Sequence, residues 1–183
     1  HCLGRVIDVN NALGGEGPFT PERCGTLPAM QLVELCYSGK YTLRQMKRMI
    51  CGKGGLAAWL GSNDMIGLSA RAEAGEEPYA TVVGAMMYTV AKEIGSMYVA
   101  LGGKVDAVTF TAGIGEHDEL VRAAVMEGLE GIGFKLDPEA NRARKSGARA
   151  ISAPDSRIPI LVIPTNEELQ IAETAVEVVS KNK

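Results

Sequence analysis

Phe110-Thr111-Ala112-Gly113-Ile114-Gly115-Glu116 is the stretch whose reading decides the fold. An apolar run at 105–110 leads into it, and a helical pattern at 117–129 follows. A strand therefore ends in two glycines, Gly113 and Gly115, where a helix starts. Glycine lets a backbone pass close to a ligand, and a helix start offers unpaired N–H groups. That arrangement suits a nucleotide. It lacks the Lys-Ser/Thr ending of a phosphate loop and the glycine spacing of a dinucleotide fingerprint. A plain strand-to-helix turn is the alternative reading. Glu116, Asp118 and Glu119 crowd the turn that follows. They favour a helix through its dipole but would repel a triphosphate. Ribose or base contacts are therefore expected here rather than a cradle for the terminal phosphates.

Working outward, residues 105–110 and 158–163 read as strands, with shorter ones at 5–9 and 148–152. Helical patterns cover 27–35, 42–50, 56–60, 79–101, 117–129 and 166–180. The longest, 79–101, is apolar on most of its circumference, so it is expected at the centre, its methionines filling core. The helix at 117–129 carries Val121, Val125 and Leu129 on one face, and the last helix a stripe of Leu169, Ala172, Val176 and Val179. Ser62-Asn63-Asp64 reads as a cap and 71–78 as a solvated connection; 138–149 is a basic helix-and-loop segment. Trp59 is expected in the core, and Asn10 and Asn11 in turns. Strands alternating with helices give an α/β lobe with a largely parallel sheet. Open sheets of that kind bind ligands at the carboxyl ends of their strands.

The 183 residues fit one domain or one large lobe, and 46% hydrophobic residues suffice for a core. The net charge of −3 leaves no dominant basic patch, which argues against nucleic acid. No long apolar span points to a membrane. Cys2, Cys24, Cys36 and Cys51 are widely spaced and only two histidines are present, so a zinc site or disulfide framework is not expected. Buried free thiols in a reducing cytoplasm are. Gly52-Lys53-Gly54-Gly55 lacks a Ser/Thr after the lysine and a strand before it, so Lys53 reads as solvated.

Longer stretches carry more. Residues 110–122 read FTAGIGEHDELVR and 162–172 read VIPTNEELQIA; both resemble acetate kinase. RVIDVNNALGGEGPFTPERCGTLP at 5–28, LCYSGKYT at 35–42 and GKGGLAAWLGSND at 52–64 resemble butyrate kinase. Both kinases belong to the acetate and sugar kinase/heat-shock/actin superfamily. The resemblance implies a ribonuclease H-like lobe, ATP/ADP and Mg²⁺ as cofactors, and a cytoplasmic homodimer. It implies transfer of phosphate from ATP to a short-chain carboxylate: acetate, propionate or butyrate. It also implies two lobes and roughly twice this length, so 1–183 reads as a single C-terminal-type nucleotide-binding lobe, the N-terminal lobe being absent. Such a lobe alone would be inactive, since two lobes must close around the reactants. The alternative is a non-catalytic nucleotide-binding or dimerisation lobe.

The resemblance also assigns residues. Arg23, in Thr20-Pro21-Glu22-Arg23-Cys24-Gly25, matches the arginine of the acetate kinase motif T-R-S-G and is the candidate catalytic cation. Its planar fork suits a carboxylate or phosphoryl group; a surface salt bridge to Glu22 or Glu34 is the other reading. Ala112, Gly113, Ile114, Gly115, Glu116 and His117 form the candidate nucleoside turn, where Ala112 replaces the first glycine of the commonest motif and His117 its asparagine. Asp64 stands where acetate kinases carry an Asp-x-Arg adenine contact, with Ile66 at the arginine position. Glu167 is the candidate Mg²⁺ partner. A Thr165–Glu168 capping box would explain Glu168 and leave Glu167 free.

Overall fold

Three short strands organise the computed structural model, which describes residues 1–181: β1 (Val108–Phe110), β2 (Arg149–Ala150) and β3 (Ile160–Val162). β3 is central, with Ile160 and Val162 sealed from solvent. It runs parallel to β1, Val108 opposite Ile160 and Phe110 opposite Val162. It runs antiparallel to β2, so the sheet is mixed rather than largely parallel. The helices are α1 (Ala29–Tyr37), α2 (Leu43–Ile50), α3 (Gly55–Leu60), α4 (Met65–Glu73), α5 (Tyr79–Ala100), α6 (Ala112–His117), α7 (Glu119–Glu127), α8 (Pro138–Arg142) and α9 (Glu167–Lys181).

Helix α2 begins where its sequence says it should. The Gln45 N–H donates to the Thr42 hydroxyl and the Thr42 N–H to Gln45 Oε1, a complete capping box. Helix α5 is the spine, although only one face is covered: Val83, Met86, Met87 and Ala91 are buried, whereas Tyr88 and Val99 face solvent. Each fully buried large apolar side chain contributes about 1.5–3 kcal/mol. Against this face pack α4, through Met65 and Leu68, and α7, through Val121, Val125 and Met126. Phe134, Ile151, Ile158 and the interior of β3 close the core.

Several expectations need correction. Residues 5–9 do not form a strand. No described strand lies beside them, and an unpaired strand has no ladder to hold it. The segment read as a solvated connection begins inside α4, which runs to Glu73. The helix expected at 117–129 is α7, Glu119–Glu127, and the turn expected before it is itself the short helix α6. The break falls at Asp118, a buried residue whose Oδ1 accepts from the Leu120 and Val121 N–H groups and whose Oδ2 accepts from the Ser69 hydroxyl. Trp59 is 72% exposed rather than core. Leu169, Val176 and Val179 of α9 are exposed too, so the stripe covers nothing within the described residues. The four cysteines are free, but Cys2 and Cys36 are exposed and Cys24 and Cys51 half-buried. Burial first, then the neighbouring Cys51, raises the pKa of the Cys24 thiol.

Candidate functional site

β1 and β3 are parallel neighbours, so their carboxyl ends open on the same edge of the sheet. Past β1 the chain turns at Thr111 into α6, and past β3 it turns at Pro164 into α9. Two bonds lock these exits together. The Ile163 N–H donates to the Phe110 carbonyl at 2.9 Å. The Thr165 N–H and hydroxyl both donate to Glu116 Oε1, at 3.0 and 3.2 Å. The Thr165 N–H, chiefly, holds the Glu116 carboxyl below the usual carboxylate range. This contact replaces the expected Thr165–Glu168 capping box. Asn166 caps α9 instead, its Oδ1 accepting from the Leu169 N–H at 3.0 Å.

The turn itself differs from the expected form. Its glycines lie inside α6 rather than ahead of it. The residue that turns the chain is Ala112, with φ of 57° in the left-handed region. An L-residue there carries about 1–2 kcal/mol of strain, which glycine would not. Gly115 is needed for contact: a Cβ on it would stand 3.2 Å from the Phe110 carbonyl carbon, against the end of β1. Gly113 is open: apart from its chain neighbours and the backbone of its own helix, no atom stands within 4 Å of where its Cβ would be.

That open side faces a cleft of about 330 Å³ lined by Asp64, Ile66, Gly113, Ile114 and His117. Residues some fifty positions apart thus converge, because α4 packs against α7 and brings its N-terminal end beside α6. The Asp64 carboxylate makes no capping bond and is exposed at the rim. A second cleft of about 620 Å³ shares Ile66 and His117 with the first and continues past Glu116 to the basic segment after α8.

Arg122 forms the buried wall between α6 and α8. Its side chain is 2% exposed. Nε donates to Asn141 Oδ1 at 2.7 Å, Nη1 to the Gly115 carbonyl at 2.9 Å and Nη2 to the Asn141 carbonyl at 2.8 Å. Asn141 in turn donates to the Glu119 carbonyl. Burial, and then the charge of Arg149, lowers the Arg122 pKa. Sequence reasoning singled out neither Arg122 nor Asn141. Arg122 ends the quoted motif, and an arginine there reads as surface; only the fold shows that it ties α6 down.

The remaining assigned residues stand further off. Arg23 lines neither cleft, and among the described residues it makes no ion pair, so the salt bridges to Glu22 or Glu34 do not form. Its loop is nevertheless tied to the Asp64 loop, since the Asn63 amide donates to Glu22. Gly55 explains how that loop is held: its φ is 58°, and a Cβ on it would collide with the Thr20 carbonyl. Glu167, in the first turn of α9, lines neither cleft, and its carboxylate makes no hydrogen bond or ion pair among the described residues. Lys53 is exposed, as expected.

A model of the acetokinase family matches residues 13–173. The chain is 63% identical over 121 residues to a probable butyrate kinase of Phocaeicola vulgatus, covering 66% of this chain and 34% of that protein. It is 45% identical over 179 residues to an acetate kinase of Desulfovibrio desulfuricans, covering 97% of this chain and 44% of that one. The chain thus spans less than half the length of these relatives. Its fold superposes on an acetate kinase of Porphyromonas gingivalis with a TM-score of 0.78 at 26% identity, over 90% of this chain and 41% of that one. A propionate kinase of Francisella tularensis gives 0.76 at 28% identity, over 86% and 40%. The α/β architecture is that of the acetate and sugar kinase/heat-shock/actin superfamily.

Proposed function

The chain belongs to the acetokinase family, and from that premise we propose that it supplies the nucleotide-binding lobe of a carboxylate kinase. In that reaction a carboxylate oxygen attacks the γ-phosphorus of ATP. The bond from that phosphorus to the β–γ bridging oxygen breaks, and ADP leaves with the electron pair as the acyl phosphate forms. The convergence of Asp64, Gly113, Ile114 and His117 on one cleft at the sheet's carboxyl edge carries the reading. The open face of Gly113 and the apolar Ile114 suit a base, and the free Asp64 carboxylate suits ribose hydroxyls. His117 replaces one side-chain hydrogen-bonding group with another. Ala112 sets the turn, Gly115 its fit against β1. Glu116 is already engaged by Thr165, so it works by keeping the start of α9 beside α6.

Arg23 is the proposed cation for the transferring phosphoryl group, and its lack of an ion pair among the described residues supports that. For Mg²⁺ the donor chemistry fits: Mg²⁺ is commonly held by one or two carboxylates together with phosphates and waters, and Glu167 offers one carboxylate without an ion pair among the described residues. Bound with the nucleotide, the ion would supply neutralisation of phosphate charge. No helix among the described residues is long and apolar enough to cross a membrane. The family reading includes a cytoplasmic location and a homodimer, and the exposed apolar stripe of α9 supports the second of these.

The test is a graft: this chain in place of the matched 44% of the Desulfovibrio desulfuricans acetate kinase. The graft should form hydroxamate-trappable acyl phosphate from ATP and acetate, propionate or butyrate. Arg23→Ala should lower kcat more than it raises the nucleotide KM, and Arg23→Lys should rescue poorly. A folded, ADP-binding graft without turnover would favour the non-catalytic reading.

A further inference from the structure

The larger cleft holds more positive charge than the proposed reaction uses. Arg142, Arg144, Lys145 and Arg149 line one side, with Arg122 beneath them. Facing them from α6 and α7 are Glu116, His117 and Glu119. Glu116 is taken by Thr165, and none of the five cations forms an ion pair among the described residues. Five unpaired cations against two acids, in a chain of net charge −3, is a local excess of the wrong sign for this protein. Arg122 has all three of its guanidinium nitrogens hydrogen-bonded and is bound to the fold. Arg149 is not: Nη1 donates to the Lys145 carbonyl at 3.1 Å, while its Nε is buried with no partner. A buried donor left unmade is costly, and two guanidinium groups facing one cleft repel. A dianion between the Arg149 Nη groups and the exposed cations would offset the repulsion and the local charge excess, although the buried Nε stays out of its reach. Arginine forks match the oxygens of a phosphate in bidentate fashion.

We infer that the cleft between α6–α7 and the Arg142–Arg149 segment is a binding site for a phosphate dianion, free or carried as a phosphomonoester, separate from the nucleoside cleft beside Gly113. The two clefts meet at Ile66 and His117, so the two ligands are neighbours rather than rivals. The inference does not depend on the kinase reading, because the cations bind phosphate whether or not nucleotide is present.

The experiment is calorimetric titration of the 183-residue chain with inorganic phosphate, and separately with glycerol phosphate, against chloride at matched ionic strength. Saturable binding is expected, undiminished in protein already saturated with ADP. Arg144→Gln combined with Lys145→Gln changes only exposed side chains and should weaken it about tenfold, the order of a lost charge-assisted bond. Arg149→Met should abolish it. Tighter binding of glycerol phosphate would assign the site to a phosphorylated small molecule, and tighter inorganic phosphate to the free ion. Heat no greater than with chloride, binding unchanged in the double variant, or displacement of phosphate by ADP would each overturn the inference.

Discussion

Replacing Arg122 by methionine isolates what holds the turn after β1 in place. The substitution keeps most of the side-chain volume but removes donors to Gly115 and Asn141 at 2.7–2.9 Å. Bonds from a charged donor contribute about 1.5–3 kcal/mol each, and a buried acceptor left unpaired costs about 1–3. Simple addition overshoots, because burying a guanidinium also costs several kcal/mol and that penalty disappears with it. Water entering the adjacent cleft would satisfy part of the rest. The net loss should be about 2–4 kcal/mol. At roughly 2–4 °C per kcal/mol for a protein of this size, the melting temperature should fall by about 4–16 °C. Release of the Gly115 carbonyl frees α6, so ADP affinity should fall as well. Arg122→Lys, with one compact charge in place of a fork, should recover less than half of the stability. Thermal denaturation followed by circular dichroism, paired with calorimetric ADP titration, reads both effects. Wild-type stability and ADP affinity in Arg122→Met would refute the idea that this arginine positions the turn.

Ala112→Gly relieves the left-handed strain at φ 57° and should stabilise the protein by about 0.5–1 kcal/mol, part of the relief being offset by glycine's freedom in the unfolded chain; an unchanged or lower melting temperature would contradict it. Gly113→Val meets nothing within 4 Å of its Cβ position beyond its chain neighbours and own helix backbone, so the fold should survive while ADP affinity falls at least about tenfold, roughly 1.4 kcal/mol. Equal affinity in a folded variant would show that the open face of Gly113 is not used. The Glu116 carboxyl has its pKa lowered in the fold, so the stabilisation it gives is complete at neutral pH and is lost as acidification passes through that lowered value. The Thr165 amide resonance should therefore titrate with a midpoint below the ordinary glutamate value of about 4.3, and a midpoint at or above it would refute the Glu116–Thr165 tie.

Much of the fold is legible where the signal is local. The capping pair of Thr42 and Gln45, the apolar face of α5 and the strand-turn-helix at 108–117 all lie within a few residues of one another. What failed depends on distant partners. Whether 5–9 is a strand depends on a neighbour to pair with, and whether the stripe of α9 is buried depends on a surface to cover it. Neither is a property of the segment. The start of α7 was legible to within two residues, and its signal is Asp118, the N-cap just ahead of Glu119; the helical turn of α6 before it was not, because two glycines favour a loop. Within the site, the grouping of Asp64 with Gly113 and His117 was legible through the family motifs. The Arg122–Asn141 network was not, because it joins two helices nineteen residues apart through buried polar atoms.

The most direct test of the account is the structure of this chain with ADP bound. The adenosine should lie in the cleft formed by Asp64, Gly113, Ile114 and His117, its ribose hydroxyls on Asp64 and its base against the open face of Gly113. ADP seated elsewhere, with that cleft empty, would contradict the account.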